Sequence, residues 1–388
     1  MSNSITQISV ADCVGCGACV AVCPVGCITM EEKQGFFYPV VDEQKCIQCG
    51  KCLKTCAVTD GEKPRKTPQA WYAGYIKPEM MSNHSTSGGI CTALSRLYLQ
   101  QGGSVYGAVF DEHWNLAHRK ICGEEELEQF SGSKYVQSSI SSQVYEEIGE
   151  CLKQGKQCLF VGTPCQIGAL AEYLSVKNIP TQTLLTVDFM CHGAPSPVLG
   201  KQFIVHLQKR SKKKITYYNF RSKAYGWGRL ARHVEYADGS VKAITADLCP
   251  LHSWFGRHLS IRESCFACRY RTKVRAADIT VADFWGLGKY YPEIPTKQGI
   301  SAIQINSEKG QQAYDRLCAE CGLVSYQVSE ESMWDRKTAL ANFPKPEGYQ
   351  AFWQAATALP VEKLLQKYPP QTPVGYVKKA IKILLGRA

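Results

Sequence analysis

Cys13-Val14-Gly15-Cys16-Gly17-Ala18-Cys19-Val20-Ala21-Val22-Cys23-Pro24 and Cys46-Ile47-Gln48-Cys49-Gly50-Lys51-Cys52-Leu53-Lys54-Thr55-Cys56 decide how this chain begins to fold. In each run two residues separate the first three cysteines and three residues precede the fourth. Thiolates at the short spacing wrap one corner of an iron-sulfur cube, while the fourth reaches a neighbouring cube. The pattern assigns Cys13, Cys16, Cys19 and Cys56 to one 4Fe-4S cluster and Cys46, Cys49, Cys52 and Cys23 to a second. Gly15, Gly17 and Gly50 suit a backbone that curls round an inorganic core and aims amides at its sulfurs. Zinc needs four ligands, often as two separated pairs, so a duplicated four-cysteine run argues against it.

The two runs resemble those of two-cluster bacterial ferredoxins, which implies an α+β ferredoxin-like unit over residues 1–62, with Phe36–Val41 a strand between its halves. A polar, proline-bearing segment follows, read as a linker over 63–69. Residues 70–329 then alternate strand and helix patterns, predicting an α/β domain, and the family resemblance given below implies that it is a flavin-binding domain. Its expected strands are 70–75, 105–110, 158–161, 184–189, 278–284 and 301–306; its expected helices lie near 88–101 and 164–174. Ile215-Thr216-Tyr217-Tyr218 reads as strand-like, and a less regular stretch follows before 278. From 330 to 388 the chain reads as a helical, proline-punctuated extension ending in an amphipathic basic segment, Tyr376 to Leu385, for which ordinary packing is expected over membrane contact.

Twenty cysteines at metal-type spacing, with no signal peptide and no apolar run long enough to span a bilayer, predict reduced thiols in the cytoplasm. The formal charge of +11 counts every cysteine as neutral; anionic clusters and a cofactor phosphate would cancel much of it. The dense run Arg210-Ser211-Lys212-Lys213-Lys214 lacks interleaved aromatics and reads as a solvated helix end, so no nucleic-acid partner is expected.

Ser85-Thr86-Ser87-Gly88-Gly89 lies between a strand and a helix, where hydroxyls, glycines and helix amides make a pyrophosphate cradle. Ser131-Gly132-Ser133-Lys134-Tyr135-Val136-Gln137 adds a cation and an aromatic ring in a loop, and Gly162-Thr163-Pro164-Cys165-Gln166 is a second strand-to-helix junction with Pro at a first helical position. Gly226-Trp227-Gly228-Arg229-Leu230-Ala231 has dinucleotide spacing but follows no apolar strand, so it reads as a turn with a buried Trp. Cys265 and Cys268 sit among Arg262, Arg269, Arg271 and Arg275, a setting that stabilises thiolates. With Cys165 and Cys191, expected at the same sheet edge, they make a third 4Fe-4S cluster; the alternative pairs them with Cys318 and Cys321 around zinc. Cys27, Cys91, Cys122, Cys151, Cys158 and Cys249 are left as core or surface thiols.

Thr86-Ser87-Gly88-Gly89, Gly132–Gln137, Gly162–Gln166, Cys191-His192-Gly193-Ala194-Pro195-Ser196-Pro197, Cys265-Phe266-Ala267-Cys268 and 278–286 together resemble the family of coenzyme F420 hydrogenase/dehydrogenase beta subunits, in the family's order and across nearly the whole chain. The resemblance implies an FAD-dependent iron-sulfur oxidoreductase serving a hydride acceptor such as a deazaflavin. Thr86, Ser87, Gly88, Gly89, Lys134, Tyr135, Gln137, Thr163, Pro164 and Gln166 become the expected cofactor contacts, and His192 and Asp283 the candidates for proton handling, each with a structural role as its alternative. Expected partners are a ferredoxin or another redox protein, a small-molecule acceptor, and a homo-oligomer or larger redox complex. Ala57 after Cys56, Ala282, and Cys27 depart from the usual pattern without removing a proposed ligand. The competing reading is an electron-transfer subunit without a substrate site of its own.

Overall fold

Each cysteine run folds as a loop closed by one helical turn. Helices Ala18–Val22 and Lys51–Lys54 start behind Gly17 and Gly50, whose φ values of 78° and 71° are costly for any other residue. Between the runs, strands β1 (Ile28–Lys33) and β2 (Phe36–Val41) form an antiparallel hairpin. Gln34 and Gly35 turn it with φ of 50° and 74°, as a two-residue hairpin loop requires. This computed structural model describes residues 3–59, 63, 65–82, 84–335 and 340–370.

The remaining strands are β3 (Ala70–Ile76), β4 (Ser104–Phe110), β5 (Leu116–Ile121), β6 (Cys158–Val161), β7 (Leu184–Phe189), β8 (Ile215–Ser222), β9 (Ala231–Tyr236), β10 (Val241–Thr245), β11 (Ile279–Asp283), β12 (Ser301–Ile305) and β13 (Leu323–Gln327). They make an eight-stranded mixed sheet of order β13-β3-β12-β11-β7-β6-β4-β5 and a three-stranded sheet of order β10-β9-β8. Strands β11, β7, β6 and β4 run parallel, with antiparallel strands on both sides. The parallel strands are near-continuous apolar runs because both faces are covered. Val105, Leu159 and Leu185 pack on one face with helix Ile90–Gln100, and Tyr106, Phe160 and Leu184 on the other with helices Ser142–Lys153 and Pro164–Val176. That second cluster continues into Ala18, Cys19, Val22, Cys52 and Cys56, so the cysteine runs are packed against the sheet's helical cover.

Two expectations change. The irregular stretch holds the three-stranded sheet, which its sequence disguises because Arg221 and Arg232, 2% and 1% exposed, occupy inward positions that alternation reserves for apolar residues. The described part of the expected linker is fastened: Lys66 and Arg275 exchange main-chain bonds, and Lys66 Nζ lies 2.9 Å from Asp278. Helices Tyr349–Ala358 and Val361–Lys367 realise the extension and pack Phe352 and Trp353 against Trp254 and Phe36. Tyr376 to Leu385 lies outside the described residues. Among those described, no helix is long and apolar enough to cross a membrane.

Candidate metal centres and an adjoining crevice

The cysteine runs enclose two cavities. Cys13, Cys16, Cys19 and Cys56 line one with Ile5, Ile8 and Met30. Cys23, Cys46, Cys49 and Cys52 line the other. Each cavity therefore takes three cysteines from one run and the fourth from the other, as a crossed pair of 4Fe-4S clusters would require. Cys27 also faces the second cavity, its Sγ 3.5 Å from that of Cys23. Cys49 is exposed, whereas burial pushes the Cys16 thiol well up, so the second site faces solvent and the first the interior. The amide of Gly15 donates to Cys13 Sγ at 3.4 Å, the hydrogen bonding that iron-sulfur sulfurs use.

Cys165, Cys191, Cys265 and Cys268 come from three parts of the chain to one place. Cys165 feels Cys268, Cys191 and Cys265 electrostatically, and burial is the larger cause of its raised pKa. Burial likewise pushes Cys191 up to about 11 and Cys265 up to about 12, so iron ligation would have to displace their protons. The amides of Gly193 and Ala194 donate to Cys191 Sγ and Cys265 Sγ, both at 3.4 Å, and Arg271 and Arg275 favour the Cys191 thiolate. Cys165 enters on helix Pro164–Val176, whose start is fixed by a capping box between Thr163 and Gln166. Cys318 and Cys321 do not join this group: they end helix Glu308–Glu320, where Cys321 packs against the opposite face of the sheet. Among the described residues, no three His, Cys, Asp or Glu side chains converge on a single-ion site.

Two buried side chains tie the first cavity to this third group. Tyr270 donates its hydroxyl to the carbonyl of Ala57, next to Cys56, at 3.0 Å, and is felt by both Cys165 and Cys16. Arg262, three positions before Cys265, donates to the Cys13 and Phe37 carbonyls and to Gln137 Oε1.

Parallel strands of this kind place a ligand crevice at their carboxyl edge, and there Asp283 ends β11 opposite Ser301. Ser87, at φ 48°, donates to Asp283 Oδ1 at 2.5 Å and to the Ile300 carbonyl. Trp227 Nε1 and Arg221 Nε also donate to Asp283, each at 3.3 Å, and Lys223 Nζ donates to the Ser87 carbonyl at 2.6 Å. Trp285 stacks on Trp227 at 4.4 Å. Aromatic contacts connect this crevice to the third cysteine group: Tyr135 meets Phe255 at 5.3 Å and Phe255 meets His192 at 5.5 Å.

Several expected cofactor contacts have other partners. Gly88 is small because a Cβ there would stand 2.2 Å from the Gly74 carbonyl; Gly89, at φ 79°, precedes helix Ile90–Gln100. Lys134 donates to the carbonyls of Phe130 and Ser131. Gln137 Nε2 reaches the Val14 carbonyl at 2.7 Å, placing it at the join with the first cavity. Thr163, Pro164 and Gln166 build the helix start beside Cys165. Thr86 pairs with Ser133, 3.2 Å away, and with Tyr135 stays near the crevice. His192 pairs with His258 at 2.9 Å; burial, then His258 and Arg271, push its pKa down to about 4, leaving it neutral. Arg221, Lys223, Trp227 and Trp285 were not among the expected contacts: Trp227 reads from the sequence as the buried residue of a turn, and Arg221 and Lys223 belong to no phosphate motif.

Two family models match separate stretches of the chain. Residues 12–59 match the 4Fe-4S dicluster domain, and residues 155–329 match the family described as the C terminus of the coenzyme F420 hydrogenase/dehydrogenase beta subunit. The chain is 23% identical over 325 residues to a subunit of the F420H2 dehydrogenase of Methanosarcina mazei, covering 80% of this chain and 84% of that protein. It is 29% identical over 198 residues to the coenzyme F420-dependent sulfite reductase of Methanocaldococcus jannaschii, covering 50% of this chain and 30% of that protein. A chain of the F420-reducing NiFe hydrogenase complex from Methanosarcina barkeri superposes with a TM-score of 0.46 at 14% identity, over 80% of this chain and 94% of the other.

Proposed function

We propose, for a chain that belongs through residues 155–329 to the family of coenzyme F420 hydrogenase/dehydrogenase beta subunits and carries a 4Fe-4S dicluster domain over residues 12–59, a role as an iron-sulfur flavoprotein oxidoreductase. It takes electrons from a ferredoxin-like donor and serves a small hydride acceptor, a deazaflavin or another small molecule. The observation that carries this reading is the succession of sites: two four-cysteine cavities, one bearing the exposed Cys49, a third cysteine group, then the polar and aromatic residues around Asp283. Bound there, clusters would carry single electrons and FAD would supply the hydride chemistry.

The protein's own residues supply placement and shielding. Cys13, Cys16, Cys19 and Cys56 hold the first cluster, Cys23, Cys46, Cys49 and Cys52 the second, and Cys165, Cys191, Cys265 and Cys268 a third. Thr86, Ser133 and the helix start behind Gly89 offer polar contacts for FAD, with Tyr135 and Trp285 as ring surfaces. Asp283 accepts from Ser87, Trp227 and Arg221 and so orients those donors at the crevice wall. Neutral His192, next to Cys191, contacts Phe255 and His258.

Anaerobic iron, sulfide and flavin quantitation on the purified protein tests this. About twelve iron atoms and one FAD per chain support it; clusters without flavin, unchanged when FAD is added, sink it. That second outcome favours an electron-transfer component of a larger complex, a reading encouraged by the relative that aligns over 80% of the chain, itself named as one subunit of a dehydrogenase.

A further inference from the structure

Arg232 is 1% exposed, and two of its guanidinium nitrogens, Nε and Nη1, have no hydrogen-bond partner among the described residues. Its Nη2 stands 2.7 Å from His252 Nδ1, a neutral ring that cannot balance a charge. Burial, then Arg232 and Arg221, push His252 down to about 4, so the imidazole stays neutral beside them. The Tyr135 and Phe220 rings lie 5.4 and 5.7 Å from the guanidinium carbon. Arg221, 2% exposed, shares the nearby carboxylate, Asp283, and its own Nη2 lacks a hydrogen bond although it stands 3.3 Å from Asp283 Oδ1. Tyr135 feels both arginines and Asp283, and Asp247 acts on His252, so the two buried guanidinium groups share one carboxylate at ion-pair distance, with a second, exposed one farther off.

A buried cation without a counter-ion is strongly unfavourable, and native structures pair it with an anion. Among the described residues Arg232 forms no ion pair, and the one carboxylate that acts on its neighbour His252, Asp247, is exposed. Two buried guanidinium groups with free donors, flanked by aromatic faces, are the chemistry that recognises a phosphate carried by a planar ring system. We propose that Arg232 and Arg221 form a phosphate-binding site at the floor of the crevice, for the phosphate of a ring-bearing ligand. Its ring would lie toward Tyr135, and so toward Phe255 and the third cysteine group. The site deepens the crevice reading but rests on the orphaned guanidinium donors. Two ligands carry that chemistry, the FAD pyrophosphate and a phosphorylated acceptor.

The test uses full-length, cluster-loaded protein and compares wild type, Arg232→Met and Arg232→Lys. Inorganic pyrophosphate should raise the unfolding temperature of wild type, with at least tenfold weaker affinity in R232M and partial recovery in R232K. Without anion, R232M should be as stable as wild type or more so, because an uncompensated charge has been replaced by apolar volume. If R232M is destabilised without anion and responds to pyrophosphate as wild type does, Arg232 is a structural residue and the site is refuted. FAD separates the sources: a tenfold loss of FAD affinity in R232M assigns the cofactor's pyrophosphate. Unchanged FAD affinity with a raised KM for a phosphorylated deazaflavin assigns the acceptor. If FAD binds neither protein while pyrophosphate still distinguishes them, the flavin reading fails and the phosphate site stands.

Discussion

Arg262 Nε donates to the main-chain carbonyl of Cys13 at 2.7 Å, joining the first cysteine run to the loop that carries Cys265 across 249 residues. The same guanidinium reaches Phe37 O at 2.9 Å and Gln137 Oε1 at 3.0 Å and lies 4.1 Å over the Tyr38 ring. Gly15 leaves room for it, since a Cβ there would stand 2.6 Å from Nη1.

Replacing Arg262 with Met leaves three acceptors without their donor and removes a positive charge beside Cys13. At about 1 kcal/mol or more for each lost partner, the variant should unfold about 3 kcal/mol more easily in denaturant titration. In an EPR-monitored redox titration, the potential of the first cluster should become more negative, with Arg262→Lys between the two. An unchanged potential would remove Arg262 from the cluster's environment.

The crossed ligand sets separate cleanly by iron content. Cys56→Ala should lose the cluster held by the first run, and Cys23→Ala the one held by the second, each by about four iron atoms. Cys27→Ala should keep its full iron complement, because Cys27 lines the second cavity in addition to its four proposed ligands. Iron loss in Cys27→Ala with retention in Cys23→Ala would transfer the ligand role to Cys27.

Cys268→Ala should remove about four iron atoms while leaving the EPR signals of the N-terminal pair. Cys318→Ala and Cys321→Ala should change nothing in the metal content, because that pair lies on the other side of the sheet from Cys165 and Cys268. Zinc lost from either of the latter variants would restore the two-pair alternative.

His118 is buried, with Nε2 2.9 Å from the Val161 carbonyl and Nδ1 2.9 Å from Ser138 Oγ. Burial is the main cause that pushes its pKa down to about 4, against 6.5 for a free ring. The unfolded chain therefore binds a proton at higher pH than the folded one. Stability should be complete above pH 6.5 and fall as pH drops toward 4, by about 3 kcal/mol from this residue alone. Chemical denaturation across that range should show His118→Gln with a shallower slope, by up to one proton.

Gly88→Ala tests why the glycine is there. A Cβ at that position meets the Gly74 carbonyl, so the variant should lose stability equally with and without added FAD. A loss seen only in the FAD-bound protein would return Gly88 to the cofactor contacts.

The cysteine spacing, the strand runs of the parallel core and the Asp278–Phe284 segment are legible in the chain because each is a local pattern. Ligand spacing follows from the geometry of a cube's corner, and apolar runs from strands covered on both faces. The gathering of Cys165 and Cys191 at one sheet edge was also legible, since parallel strands must bring their carboxyl ends together. What no local pattern carries is the partner of a long polar side chain. Arg262 and Gln137 cross to the first cavity, Lys66 fastens the expected linker to Asp278, and Arg221 and Arg232 turn inward from a sheet whose alternation they obscure. A buried charge is placed by what surrounds it in space. The sequence alone therefore determined that iron-sulfur ligands are present and which strands make the core, while the tertiary structure decided how the cysteine sites adjoin and which cations line the crevice, because both depend on contacts between residues far apart in the chain.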